Sequence, residues 1–307
     1  MSKVKIKGIL LDGSPWETYF DHITKTINLR GPKKGNQRLK AVDLSSLNRC
    51  LNLETLCISH NKIENILLPT FSNELKRLEL QFNSISEIDL SPIEECKKLE
   101  TLLLQKNRLL NIDLAPLKDH NALKELHLFG NKFLSVDLTP LSSCIGLRVL
   151  SLSINKLSRI DLSPLSSCHN LELLGLRDNK LSSCELSPLN GLKYLRIIEL
   201  NKNELTNINL TPLSNCLNLE SLELRDNKLS SLDISPLRSC TQLHTLMLSK
   251  NKLPELDISP LKECWNLKKL LIDDAVKLIW NDEPISSNDK LPTPLQELYG
   301  QTGMDYS

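Results

Sequence analysis

The stretch Leu147–Asn170, LRVLSLSINKLSRIDLSPLSSCHN, recurs with small changes along most of the chain, and its reading decides the fold. Counted from its first leucine, the unit has apolar residues at positions 1, 4, 6, 11, 14, 16 and 19, asparagine at 9, usually proline at 18 and cysteine at 22. Leucines at positions 4 and 6 alternate with variable residues at 3, 5 and 7, which is the period of a strand with one buried face. Each unit therefore contributes one short strand.

The asparagine at position 9 falls where the chain must turn inward. Its amide can donate to and accept from backbone groups that a solenoid interior would leave unpaired. The stacked members of this expected asparagine ladder are Asn61, Asn83, Asn107, Asn131, Asn155, Asn179, Asn203, Asn227 and Asn251, and Ala275 stands at the next equivalent position. In the second half of the unit, Ser or Thr at 17 followed by Pro at 18 reads as a helix start with a capping hydroxyl. Leucine at 19 and cysteine at 22 then share one face of a helical or 3₁₀ turn that points at the core.

Regular units begin at Leu53, Leu75, Leu99, Leu123, Leu147, Leu171, Leu195, Leu219 and Leu243, spaced by 24 residues except for the first interval of 22. Residues 1–26 do not fit and read as an N-terminal cap. They combine an alternating segment Lys3–Leu11, a turn at Asp12–Pro15 and the aromatics Trp16, Tyr19 and Phe20. Repeats occupy 27–280, the first one degenerate, with Ile27 and Leu29 as its strand residues. The last strand lies at Leu267–Ile272, Val276–Trp280 closes the end, and 281–307, rich in Pro, Ser, Asn and Asp, reads as a partly disordered tail.

The leucine frame, the recurring asparagine and the repeat length resemble the leucine-rich repeat superfamily over about Ile27–Trp280. The chain looks most like the cytosolic short-repeat class that includes phosphatase-regulatory proteins, while the cysteine step also resembles bacterial surface repeats. The resemblance implies an α/β fold class: a leucine-rich-repeat solenoid, or horseshoe, with a concave parallel sheet and short helical, 3₁₀ or extended convex segments. It also implies a non-catalytic protein-binding scaffold with no cofactor. A regulatory subunit or inhibitor of an intracellular phosphatase or GTPase is the alternative.

Composition narrows the partners. With 307 residues, 40% of them hydrophobic, and a net charge of +1, the chain lacks the basic excess of a general nucleic-acid binder. It has no apolar run near the ~20 residues that span a bilayer, and Met1–Gly13 has no uninterrupted secretory core. A cytoplasmic monomer that binds a protein, and neither nucleic acid nor membrane, is the expectation. Of nine cysteines, Cys50, Cys96, Cys144, Cys168, Cys216, Cys240 and Cys264 share the same repeat position and read as a reduced core column. Cys57, at the outward position 5, is expected to be the reactive exception.

No catalytic or metal arrangement emerges. The six histidines, His22, His60, His120, His127, His169 and His244, occupy unrelated repeat positions, and the ten glycines form no phosphate loop. Position 15 is acidic in most units, as at Asp89, Asp113, Asp137 and Asp161. A calcium ladder is one reading of it. Solvated carboxylates, or carboxylates paired with the bases common at position 10, is the reading preferred.

Function should sit at the variable outward positions. The expected partner-binding residues are Arg77, Glu79, Phe82, Leu103, His127, Phe129, Ile154, Arg177, Glu199, Glu223, Arg225 and Met247. Phe82, Leu103, Phe129 and Ile154 would form a contiguous apolar anchor, and the charged repeats beyond it would set orientation.

Overall fold

The computed structural model describes residues 3–32, 35–281 and 291–302. The chain divides into two compact units, Met1–Lys156 and Leu157–Ser307. The first begins with β1 (Lys3–Leu10), β2 (Pro15–Asp21), β3 (Thr26–Asn28) and β4 (Leu39–Asp43). Strands β2, β1 and β4 form an antiparallel sheet, with Gly8 of β1 packed so tightly that an added Cβ would lie 2.8 Å from the Ala41 carbonyl. Strand β3 instead starts the parallel repeat sheet, with Ile27 in register with Leu56.

The parallel sheet of this unit continues through β5 (Thr55–Cys57), β6 (Arg77–Glu79), β7 (Thr101–Leu103), β8 (Glu125–His127) and β9 (Val149–Ser151). The second unit repeats the arrangement in β10 (Leu173–Gly175), β11 (Ile197–Glu199), β12 (Ser221–Glu223) and β13 (Thr245–Met247). Strand β14 (Glu255–Asp257) lies outside that sheet, β15 (Lys269–Leu271) is its last strand, and β16 (Lys277–Ile279) pairs with β14 in a separate two-stranded sheet. An α-helix, α1 (Thr293–Thr302), follows, and Leu291 just before it and Leu295 within it are buried. The tail expected to be partly disordered is helical over α1, while 282–290 and 303–307 lie outside the described residues.

Within the repeats the helical segments are all 3₁₀, of three to five residues, such as Ser163–Ser167. Their leucines at position 19 and the cysteines at 22 are buried as the spacing predicts. The thiols are not inert in the packing. Cys144, Cys216, Cys240 and Cys264 each place Sγ 3.3–3.6 Å from the position-19 carbonyl of the preceding repeat. His120, which replaces cysteine in its repeat, keeps that contact through Nε2, 3.1 Å from the Ile93 carbonyl, and is fully buried.

Two local expectations are corrected. The cap on the 3₁₀ turn comes from position 15 and not from the hydroxyl at 17: in Asp43, Asp89, Asp113, Asp137, Asp161, Glu185, Asn209, Asp233 and Asp257 a side-chain oxygen accepts the backbone N–H two residues on, at 2.8–3.0 Å. Asn209 makes the same bond as the acids, so the position selects an acceptor rather than a charge. The second correction is Cys57, which is buried, with Sγ 3.2 Å from Ser59 Oγ.

The position-9 asparagines bond as expected. Asn107 Nδ2 donates to the carbonyls of Leu104 in its own repeat and Leu80 in the preceding one, both at 3.0 Å, and its Oδ1 accepts from Ile85 N–H at 3.1 Å. Asn83, Asn131, Asn203 and Asn227 repeat the pattern. Asn155 and Asn251 keep their bonds but are only half-buried, against the expectation of full burial throughout.

Reaching that asparagine forces the residue before it into the left-handed region in every regular repeat, with φ between 55° and 68°. Only one of the nine is glycine, Gly130, where an added Cβ would also come within 2.7 Å of Lys106 Cδ. The rest are His60, Phe82, Lys106, Ile154, Asp178, Lys202, Asp226 and Lys250.

Candidate functional site

Strand alternation sends positions 3, 5 and 7 to the open face of the sheet, and the left-handed turn swings position 8 onto its rim. In the first unit this places Arg77, Glu79, Phe82, Leu103, His127, Phe129 and Ile154 on or beside one face. Phe82 and Ile154 are 43% and 38% exposed, whereas Leu103 is only 7% exposed. The expected anchor is thus corrected at Leu103. It sits in register between Glu79 and His127, longer side chains that flank it, and contributes floor rather than surface.

The apolar strip is interrupted as well as thinned. Lys106, at position 8 between Phe82 and Gly130, lies across the missing Cβ of Gly130 and brings its Nζ 5.7 Å from the Phe129 ring centroid. On one side His60 stacks on Phe82 with centroids 4.4 Å apart and rings tilted by 31°. On the other, His127 meets the half-buried Phe129 edge-on at 6.4 Å.

Polar groups of the same face are held in place. Arg77 pairs with Glu79 and reaches Thr101 Oγ1 at 3.3 Å, and Gln81 Nε2 donates to Glu79 at 3.2 Å. Burial raises the Glu79 carboxyl, but its bonds from Arg77, Gln81 and Cys57 outweigh that and leave it below the usual range. Burial lowers the His127 imidazole, and Arg77 adds to this against an opposing Glu125. Burial also lowers His60, helped by Arg30 and Arg38. Since Arg30 can only donate, its approach to His60 Nε2 at 3.3 Å leaves the imidazole proton on Nδ1.

Sequence reasoning missed three residues of this face. Gln81 Oε1, Gln105 Oε1 and His60 Nδ1 are buried and have no hydrogen-bond partner. The signal was present, since Gln81 and Gln105 stand at position 7 of consecutive repeats, but only the packing shows that their oxygens are unmet.

The second unit carries Arg177, Glu199, Glu223, Arg225 and Met247 on its own sheet face, Arg177 exposed and the others half-buried. Asn201 Oδ1 and Arg225 Nε are buried there without a partner. Among the described residues no group of three or more His, Cys, Asp or Glu side chains is disposed to hold a metal, and no helix is long and apolar enough to cross a membrane.

Comparison with known proteins places this geometry. The chain is similar to a leucine-rich repeat protein of Leptospira interrogans at 22% identity and a TM-score of 0.62, over 77% of this chain and 64% of that one. It thus spans less than two thirds of that protein's length. It is also similar to the functional domain of InlJ from Listeria monocytogenes, which includes a cysteine ladder, at 20% identity and a TM-score of 0.60, covering 85% and 56% of the two chains. For internalin C2 of Listeria monocytogenes the values are 28%, 0.53, 75% and 84%. Among curated proteins none matches this sequence. The BspA type Leucine rich repeat region matches in six copies over residues 18–124 and 159–283, well over half of the chain. With a parallel strand and a turn asparagine in each regular repeat, and a 3₁₀ segment in every one of them after the first, this chain belongs to the leucine-rich repeat family of BspA type.

Proposed function

We propose that the protein is a non-catalytic interaction scaffold whose protein partner seats on the sheet face of the first unit, anchored by Phe82, Phe129 and Ile154. The observation that carries this is backbone strain at an exposed surface. Phe82 and Ile154 both stand at φ 57°, a conformation that costs an L-residue about 1–2 kcal/mol and that a β-branched side chain tolerates worst. The same rim accepts aspartate at 178 and 226 and glycine at 130, so nothing in the turn calls for a large apolar group. The fold imposes the conformation on all nine rim residues, so it is the choice of large apolar side chains at 82 and 154 that folding leaves unexplained and contact would explain.

The unpartnered Gln81 and Gln105 oxygens support the same reading, because a partner's N–H groups would satisfy acceptors that the fold leaves unmet. A cytoplasmic location is part of the same proposal, and the nine free, buried thiols support it because a reducing compartment keeps such thiols unbridged.

The test is capture of partners from native lysate followed by affinity measurement on the purified pair. Phe129→Ala and Phe82→Ala should each weaken binding by about 2 kcal/mol. If they leave affinity unchanged while substitutions at Ser163 or Ser187, on the opposite side of the repeats, abolish it, the sheet-face assignment fails. Alkylation of thiols at lysis tests the compartment, and stoichiometric disulfides would overturn it.

A further inference from the structure

Strand β15 ends its sheet, and among the described residues no strand pairs with its outer edge. The bonds from Lys269 N–H to the His244 carbonyl and from Leu248 N–H to the Leu271 carbonyl turn the backbone groups of 269 and 271 toward β13. Those of Leu270 and of Ile272 just beyond it therefore face outward. The chain then leaves this edge, because β16 pairs with β14 instead.

The core is open at the same place. Strand positions 4 and 6 are buried in the preceding repeats, as at Leu222, Leu224, Leu246 and Leu248, and at the start of the repeats Ile27 and Leu29 are buried too. Leu270 and Ile272, in the same two positions, are only half-buried. An edge with unpaired backbone groups and a bared apolar row is a template for another strand.

The surrounding residues select which strand. Residues 268–274 read KKLLIDD. Laid antiparallel on a second copy about a two-fold axis at Leu271, Lys269 falls opposite Asp273 and Lys268 opposite Asp274, whereas parallel pairing sets lysine on lysine. Charges of one sign would guard the edge by repelling a second copy; this arrangement attracts one. The backbone matches the same register. Leu270 and Ile272 meet as hydrogen-bonded pairs on the core side, and Lys269 and Asp273 meet on the open face as a non-hydrogen-bonded pair, where side chains come closest. Lys268, Lys269 and Asp274 are exposed, and Asp273 accepts the Lys250 N–H through Oδ2 at 2.6 Å, which leaves Oδ1 for a lysine.

We propose that two copies of the chain join through β15, continuing the sheet across a two-fold axis at Leu271, in place of the monomer expected from the sequence. The contact is isologous and uses up both β15 edges, so association through it closes at the dimer. It stands independently of the anchor proposed for the first unit.

The experiment is sedimentation equilibrium of the full chain at concentrations up to millimolar, with two charge variants. Lys268→Glu/Lys269→Glu sets glutamate opposite aspartate. Asp273→Asn/Asp274→Lys sets lysine opposite lysine, and its asparagine keeps an acceptor for Lys250 N–H. The expected result is a reversible monomer–dimer equilibrium in the wild type, at least 10-fold weaker self-association in each variant, and recovery to within a few-fold of wild type when the two variants are mixed. Recovery on mixing shows that the lost association is not lost folding. In the dimer the amides of Leu270 and Ile272 should gain protection from hydrogen exchange, and Phe82→Ala should dimerise like the wild type. A single monomer mass at every concentration, wild-type dimerisation in both variants, or a mixture that stays monomeric would each overturn the proposal.

Discussion

Replacing Asn107 by alanine removes three hydrogen bonds, but they do not count equally. The Leu80 carbonyl still accepts from Asn83 and the Leu104 carbonyl from Asn131, so each keeps one donor. Ile85 N–H, which donates to Asn107 Oδ1 at 3.1 Å, loses its acceptor in a buried environment. An orphaned buried donor costs about 1–3 kcal/mol, and each weakened carbonyl adds about 0.5 kcal/mol, so Asn107→Ala should lose about 2–4 kcal/mol. Urea unfolding followed by circular dichroism measures it, with equal slopes for both proteins required before the midpoints are compared. Asn107→Asp is the sharper arm. Its oxygen can still accept from Ile85 N–H, yet a carboxylate facing two carbonyl oxygens is repelled by both. Its pKa in the folded state is therefore raised. Relative to wild type the electrostatic penalty is absent below the ordinary carboxylate pKa of about 3.9 and grows as pH rises toward the raised value. A loss under about 0.5 kcal/mol in Asn107→Ala, or an aspartate variant no worse at neutral pH than in acid, would refute the bonding scheme.

The remaining predictions use the corrected positions. All nine cysteines, Cys57 included, should react slowly with a thiol reagent in the native protein, since all are buried and burial pushes the thiols of Cys96, Cys168 and Cys264 up to about 11 and those of Cys184 and Cys240 to about 12; one fast phase assigned to Cys57 by peptide mapping would contradict its burial. His120→Cys should stay within about 1 kcal/mol of wild type because a thiol can reach the Ile93 carbonyl, whereas His120→Ala should cost about 2–4 kcal/mol for the cavity and the lost bond, and equal costs in denaturation would count against the shared role. Asp161→Asn should melt with the wild type and Asp161→Ala below it, following the precedent of Asn209. The bonds from Ser163 hold the Asp161 carboxyl below its ordinary value, so the ionised cap stabilises above that value and is lost as pH falls through the depressed one; a wild-type acid-unfolding curve that the asparagine variant reproduces would exclude this contribution.

What the sequence by itself determined is everything that recurs at fixed spacing. Leucines at 4 and 6, asparagine at 9 and the cysteine column each answer a constraint that every repeat imposes on itself and its neighbour, so period alone reveals strand, turn and core. The acid at position 15 was visible too, but not its role, because an acceptor for a backbone N–H two residues on looks in sequence like a charge awaiting a cation. Only the tertiary structure decided which outward residues are surface. Leu103 and Cys57 occupy the same repeat position as Glu199, yet both are buried, because exposure on a sheet face depends on the reach of side chains from adjacent strands. The left-handed turn had no sequence signature, since eight of its nine residues are not glycine and the conformation is imposed by the inward asparagine and the stacked backbone bonds. For the same reason the unmet atoms of Gln81, Gln105 and Asn201 appear only when strands 24 residues apart are brought side by side. A hydrogen-bond deficit belongs to the packing around a residue and not to the residue.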